Sequence, residues 1–218
     1  MFITNTRIIN TLLHISSLLL ISSISYAGKV NITKDIDFIE VDIAGKTVKV
    51  ERNQDTSAVI DPGYAKTSRP CPPFCAQPII AAEGVKTIGE MEVAQFMNGK
   101  LKGGRGILVD ARTTKWYEKG TIPGSINVPF THVSRVSGAD DFTIADALEK
   151  FGAVQKGDDW DFSNVKYLVL WCNGPWCGQS PVAIRGLLNL GYPAEKLYYY
   201  RGGMQLWKIF GLNVVVPK

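Results

Sequence analysis

Four cysteines carry most of the chemistry that this 218-residue sequence offers, and they fall into two close pairs, Cys71 with Cys75 and Cys172 with Cys177. A thiolate is a strong nucleophile, and a second thiol nearby can resolve whatever the first one binds. Only two histidines are present, His14 and His132. A Cys–His nucleophile pair or a histidine-rich metal site therefore has almost nothing to draw on, and His132 reads as a solvent-facing loop residue. Neither cysteine pair has the two-residue gap common in zinc sites, and no carboxylate cluster or phosphate-binding glycine loop occurs. No metal and no cofactor is expected.

Cys172 has the most informative surroundings. The apolar run Tyr167-Leu168-Val169-Leu170-Trp171 reads as a buried strand that delivers Cys172 into a loop. A helix follows, with Ser180 as its expected N-cap and Pro181 as its first residue. Its expected inner face is Val182, Ile184, Leu187, Leu188 and Leu190, and Gly191 stops it. The loop residues Asn173, Gly174, Pro175, Trp176, Gly178 and Gln179, with Ser180, would aim backbone N–H groups and the positive end of a helix at the sulfur. Both favour a partly exposed, ionised Cys172.

The elements that must position this loop follow from the rest of the chain. Residues 1–27 hold one charge, Arg7, then an apolar stretch broken by serines and a small-x-small end at Ser25-Tyr26-Ala27. That pattern is expected to be a cleaved secretory signal, since the apolar core is shorter than the ~20 residues that span a bilayer. The product would be exported, periplasmic or secreted, and nothing after Ala27 has the length and apolarity of a span. The net charge is +4, with basic residues scattered rather than clustered, which gives no nucleic-acid footprint.

Residues 28–84 form an N-terminal extension. Ile39, Val41 and Ile43 alternate with acidic residues, Ala44-Gly45 turns, and Val48 and Val50 alternate again, which is a β-hairpin. Such a hairpin is marginal alone and must pack on the main domain. An irregular stretch then holds Cys71-Pro72-Pro73-Phe74-Cys75. Over residues 85–218 short apolar strands alternate with amphipathic helices, including a helix at 143–151 with Ile144, Ala147, Leu148 and Phe151 on one face. The expected fold is α/β, a mostly parallel central sheet flanked by helices on both faces, with the site at the carboxyl ends of the strands.

Four segments taken together resemble the rhodanese family of sulfurtransferases: Leu108-Val109-Asp110-Ala111-Arg112, the run Gly120-Thr121-Ile122-Pro123-Gly124-Ser125-Ile126-Asn127-Val128-Pro129, the Cys172 strand–loop–helix, and Arg201-Gly202-Gly203-Met204-Gln205-Leu206-Trp207. The resemblance spans residues 85–217. It implies a rhodanese-like fold in which Cys172 is the catalytic nucleophile, takes sulfur from a donor as a persulfide and yields it to an acceptor. It also implies that Asp110 and Arg112 are a structural pair supporting the strand. The loop departs from the family pattern in being about two residues longer and in lacking a basic residue; Arg185 lies a turn into the helix. A dianion such as thiosulfate would lose a charge-assisted contact of ~1.5–3 kcal/mol. A small polysulfide or a protein persulfide is therefore the expected donor. Related phosphatases hold phosphate with an arginine where this chain has Gly178, which argues against phosphatase chemistry.

Several roles stay open on sequence alone. Cys177 is a resolving thiol that would need a thiol reductant protein as partner, half of a static disulfide, or an idle thiol. Trp176 packs over the loop base or faces substrate. Cys71 and Cys75 form a structural disulfide, a relay dithiol, or part of a soft-metal site. Two rival functions are a thiol–disulfide oxidoreductase using Cys172 and Cys177, and a catalytically silent binding module with both pairs locked. No membrane contact is expected after signal cleavage.

Overall fold

The structure is a computed structural model that describes residues 28–43 and 45–217. The expected secretory signal, residues 1–27, lies outside the described residues. Strands β1 (Phe38–Ile43) and β2 (Lys46–Glu51) pair antiparallel, with Val41 opposite Val48 and Ile39 opposite Val50. Ile39, Val41 and Val50 are buried, and Val48 is half-buried. A short helix α1 (Pro62–Ala65) follows, then an irregular strap that runs to β3 (Lys86–Ile88). Helix α2 (Glu90–Phe96) continues into a π-helical turn, Met97–Leu101, and leads to β4 (Gly106–Asp110), the short helix α3 (Thr114–Tyr117) and β5 (Ser125–Asn127).

Helix α4 (Asp141–Lys150) starts two residues earlier than the apolar periodicity indicates. Asp140 is its N-cap and accepts from the Thr143 amide at 2.7 Å, satisfying one of the orphan donors of the first turn. The polar stretch after it is not plain loop; β6 (Val154–Lys156) and β7 (Asp159–Asp161) form a small hairpin turned by Gly157. Then come β8 (Tyr167–Trp171), α5 (Gln179–Asn189), β9 (Leu197–Tyr200) and α6 (Gly203–Ile209).

The expected parallel sheet is present as five strands in the order β3-β9-β8-β4-β5, every neighbouring pair parallel. β8 is central and alternates faces. Leu168 and Leu170 enter a core with Ile184, Leu187, Ile144 and Leu148 of α5 and α4. Val169 and Trp171 enter the opposite core with Val93, Phe96, Met204 and Trp207 of α2 and α6. Ile39, Val41 and Val50 join that second core, so the hairpin hides its apolar face against the sheet layer. Each such side chain, taken from water to the interior, contributes ~1.5–3 kcal/mol. Among the described residues no helix is long and apolar enough to cross a membrane.

Candidate active site

β8 ends at Trp171, paired with Asp110 of β4 on one side and Tyr200 of β9 on the other. Cys172 is thus released at the carboxyl edge of the middle strand. α6 begins against it: the Met204 amide donates to the Cys172 carbonyl at 2.9 Å, and the Gln205 amide to the Asn173 carbonyl at 3.0 Å. That approach requires glycine at 203, whose φ is +54° and whose Cβ would stand 2.2 Å from the Cys172 carbonyl oxygen.

The helix start differs from its expected position. Gly178, not Ser180, is the N-cap, α5 opens at Gln179, and the loop is residues 172–178, a residue shorter than the sequence pattern indicates. Ser180 lies inside the first turn, and its hydroxyl donates to Cys172 Sγ at 3.0 Å instead of capping. The inner face shifts accordingly. Ala183, Ile184, Gly186 and Leu187 are buried, whereas Val182, Leu188 and Leu190 are only half-buried. Pro181, with no amide to donate, occupies a first-turn position where that loss is harmless.

Both loop sulfurs are free thiols and both are enclosed, Cys172 at 2% exposure and Cys177 at 5%. The expected partly exposed, ionised Cys172 is therefore not what the fold presents. Cys172 donates through its thiol to the Cys177 carbonyl at 3.1 Å. Burial pushes the Cys172 thiol well above its ordinary range, and its donation toward Cys177 adds to that. Cys177 moves the other way, down to about 7, first because of the adjoining Cys172 side chain and then because the Gln179 and Asn173 amides point at it. Backbone amides point at both sulfurs, that of Ser180 at Cys172 and those of Gln179 and Asn173 at Cys177. Burial opposes charge on Cys172, and Cys177 is the thiol of the pair that ionises more easily.

Asn173 ties the loop to two further elements. Its side-chain carbonyl accepts from Tyr64 Oη of α1 at 3.2 Å and from Arg112 Nη1 at 3.4 Å. Arg112 is buried and bidentate to Asp110, with Nε–Oδ1 at 2.8 Å and Nη2–Oδ2 at 2.6 Å, and it also donates to the Gly120 carbonyl at 2.7 Å. Asp110 accepts in addition from Thr121 Oγ1 at 2.9 Å. The pair locks β4 to the turn before β5 and touches the loop only through Asn173.

The N-terminal extension covers the mouth of the loop. Trp176 lies under the Arg69 guanidinium, 3.8 Å from ring centroid to Cζ, while Phe74 meets it edge-on at 5.6 Å. The Trp176 indole donates to Gln205 Oε1 at 2.8 Å, and Gln205 Nε2 donates to the Tyr64 carbonyl at 2.7 Å. The Gln77 amide donates to the Pro175 carbonyl at 2.8 Å, and Arg201 donates twice to the Gln77 carbonyl, at 3.1 and 2.8 Å. Lys208 of α6 ion-pairs with Asp61, the residue before α1. Cys71 and Cys75 are joined as a disulfide within it.

Tyr64, Arg69, Gln77, Arg201 and Gln205 were not expected as site residues. Arg201 and Gln205 sit in a recognised segment, but the others lie in chain whose only sequence signal was proline and glycine. His132 is half-buried in the 3-10 turn Phe130–His132, and Arg185 is exposed. No group of three His, Cys, Asp or Glu side chains that could hold a metal occurs among the described residues.

Residues 93–209, more than half of the chain, match the family described as the rhodanese-like domain. A curated relative, the HTH-type transcriptional regulator Rv0324 of Mycobacterium tuberculosis, is 29% identical over 115 residues, which cover 53% of this chain and 40% of that protein. Among solved structures, the human single-domain sulfurtransferase TSTD1 is 21% identical, with 57% of this chain and 96% of that one covered at a TM-score of 0.39. The thiosulfate sulfurtransferase of Pseudomonas aeruginosa is 21% identical, with 64% and 22% covered at a TM-score of 0.41. A five-stranded parallel sheet with a cysteine loop at its carboxyl edge, and a family match across the same residues, place this chain in the rhodanese-like domain family.

Proposed function

We propose that the chain is a sulfurtransferase that carries sulfane sulfur as a persulfide on Cys172, with Cys177 first as its base and then as its resolving thiol. The observation that supports this most is the Cys172 sulfur at the end of the central strand, with Ser180 Oγ 3.0 Å away and its thiol directed at the Cys177 carbonyl oxygen. A donor persulfide, R–S–SH, enters with Cys177 as thiolate and Cys172 as thiol. Cys177 takes the Cys172 proton as Cys172 attacks the outer sulfur. The donor S–S bond breaks, and R–S⁻ leaves and takes the proton back from Cys177. The product is Cys172–S–SH, and Ser180 Oγ and the loop amides hold it and the perthiolate left when its proton passes to water.

Two exits follow. An acceptor nucleophile removes the outer sulfur, or the Cys177 thiolate attacks Cys172 Sγ, expels hydrosulfide and leaves a Cys172–Cys177 disulfide. A monoanionic polysulfide or persulfide suits the loop better than thiosulfate, because the loop contributes no basic side chain. We also propose that the chain acts after export, as its first residues indicate. Mass spectrometry of reduced protein incubated with polysulfide tests the reading. One added sulfur on the Cys172 peptide, lost in Cys172→Ser, is expected; absence of any adduct on the reduced wild type would overturn it.

A further inference from the structure

A disulfide formed by resolution at Cys172 and Cys177 is shut away from any protein reductant, because both sulfurs are at least 95% enclosed beneath the strap. The strap carries sulfur of its own, and that sulfur is reachable: Cys71 is exposed and Cys75 half-buried. The two sulfur-bearing segments lie side by side. Phe74, which precedes Cys75, packs on Trp176, which precedes Cys177. Gln77, two residues past Cys75, hydrogen-bonds through its amide to Pro175, two residues before Cys177. The Gln77 side chain donates back to the Cys75 carbonyl at 2.9 Å, and its amide group is what a Cβ at Gly178 would meet, at 3.6–3.8 Å. Cys75 and Cys177 are therefore each bracketed by residues that touch the other's neighbours.

We infer that the Cys71–Cys75 pair is the electron port of the buried loop: an external protein dithiol reduces it, and it then reduces the Cys172–Cys177 disulfide by thiol–disulfide exchange. The inference rests on the proposed resolving step. The exchange balances without any further reagent. The external dithiol attacks the exposed Cys71 sulfur, its second thiol closes its own disulfide, and Cys71 and Cys75 are left as thiols. Cys75 thiolate then attacks Cys177 Sγ, and Cys172 leaves as a thiolate and is protonated. Cys71 thiolate attacks Cys75 Sγ of the mixed disulfide and expels Cys177. Two electrons and two protons pass from strap to loop. In the second exchange the leaving thiol is Cys177, lowered to about 7, and a low-pKa thiol leaves faster.

Trapping tests the juxtaposition directly. The variant Cys71→Ser with Cys172→Ser retains only Cys75 and Cys177, and oxidised glutathione should close a Cys75–Cys177 disulfide visible as one cross-linked peptide pair. Two separate glutathione adducts with no cross-link would overturn the inference. A second arm guards against a misfolded variant. Wild type and Cys71→Ala with Cys75→Ala are oxidised with diamide, then reduced with a thioredoxin-type protein dithiol or with a small phosphine. The protein dithiol should open the loop disulfide at least ten-fold more slowly in the double variant, while the phosphine opens it equally in both. Equal rates with the protein dithiol would sink the port. Neither arm uses a sulfur donor, so the adduct on Cys172 reports separately on sulfur transfer itself.

Discussion

Ser180 donates its hydroxyl hydrogen to the sulfur of Cys172 across 3.0 Å, from inside the first turn of α5. No other side-chain hydroxyl donates to either loop sulfur among the described residues, and Ser180 is fully buried. In Ser180→Ala the Cys172 thiolate and perthiolate lose one donor, at a cost of about 1.5 kcal/mol. Sulfur transfer should slow about ten-fold, and adduct formation on Cys172 should slow with it. Thermal melting should barely move, because the hydroxyl supports the sulfur and not the helix end. An unchanged transfer rate would show that the loop amides alone carry the anion.

The thiol pair sets a pH profile with a definite sign. Cys177 is lowered to about 7 and Cys172 is raised, so between pH 6 and 8 the charge appears on Cys177 while Cys172 keeps its proton. Alkylation by iodoacetamide should label Cys177 first, and its rate should rise about ten-fold from pH 6 to pH 8, following the thiolate fraction. In Cys172→Ala the principal cause of the lowering is gone, so the midpoint should move up toward that of an ordinary thiol. Peptide mapping that finds Cys172 labelled first would invert the assignment of base and nucleophile.

The family and the sheet were legible in the sequence because both rest on local pattern. β4, β8 and β9 are short apolar runs, and α4 repeats Ile144, Ala147, Leu148 at helical spacing. Cys172 was legible for the same reason, since a strand, a loop and a helix follow one another there. What escaped depended on contacts distant in sequence. Arg69 reaches Trp176, Tyr64 reaches Asn173, and Gln77 reaches Pro175 and Arg201, each across about a hundred residues. No periodicity marks such contacts. Ser180 was misread because serine before proline satisfies the capping rule, and only the packing at Gly178 shows that the helix has already begun.

The strap should open as one piece, with Trp176 as its catch. Arg69 stacks on the ring and Phe74 meets its edge, and the Gln77 amide bond to Pro175 lies just beyond. Arg69→Met removes a cation–π contact of ~0.5–2 kcal/mol. Native-state hydrogen exchange at Gln77 should then accelerate by about two- to thirty-fold, since that amide exchanges only when the strap lifts. The amides of β8 should be unaffected. Exchange at Gln77 equal to wild type would show that the Arg69 stack does not hold the strap.

Two glycines with similar φ, one against the Cys172 loop and one before β4, separate strain from crowding. Gly203 has φ +54° and Gly104 φ +66°, so either substitution by alanine meets the left-handed penalty of ~1–2 kcal/mol. A Cβ on Gly104 would touch nothing within 4 Å, whereas on Gly203 it would stand 2.2 Å from the Cys172 carbonyl oxygen and 2.9 Å from the Gly174 nitrogen. Both of those atoms are backbone and cannot swing aside. With ~2–4 °C of melting temperature per kcal/mol at this size, Gly104→Ala should melt a few degrees below wild type. Gly203→Ala must push α6 away from the loop, breaking the amide bonds from Met204 and Gln205 that hold Cys172 and Asn173 in place. It should melt about 10 °C or more below wild type and form the Cys172 adduct far more slowly per folded molecule. Equal melting shifts in the two variants would mean that the loop gives way readily, and that the contact between α6 and Cys172 does not set the position of the sulfur.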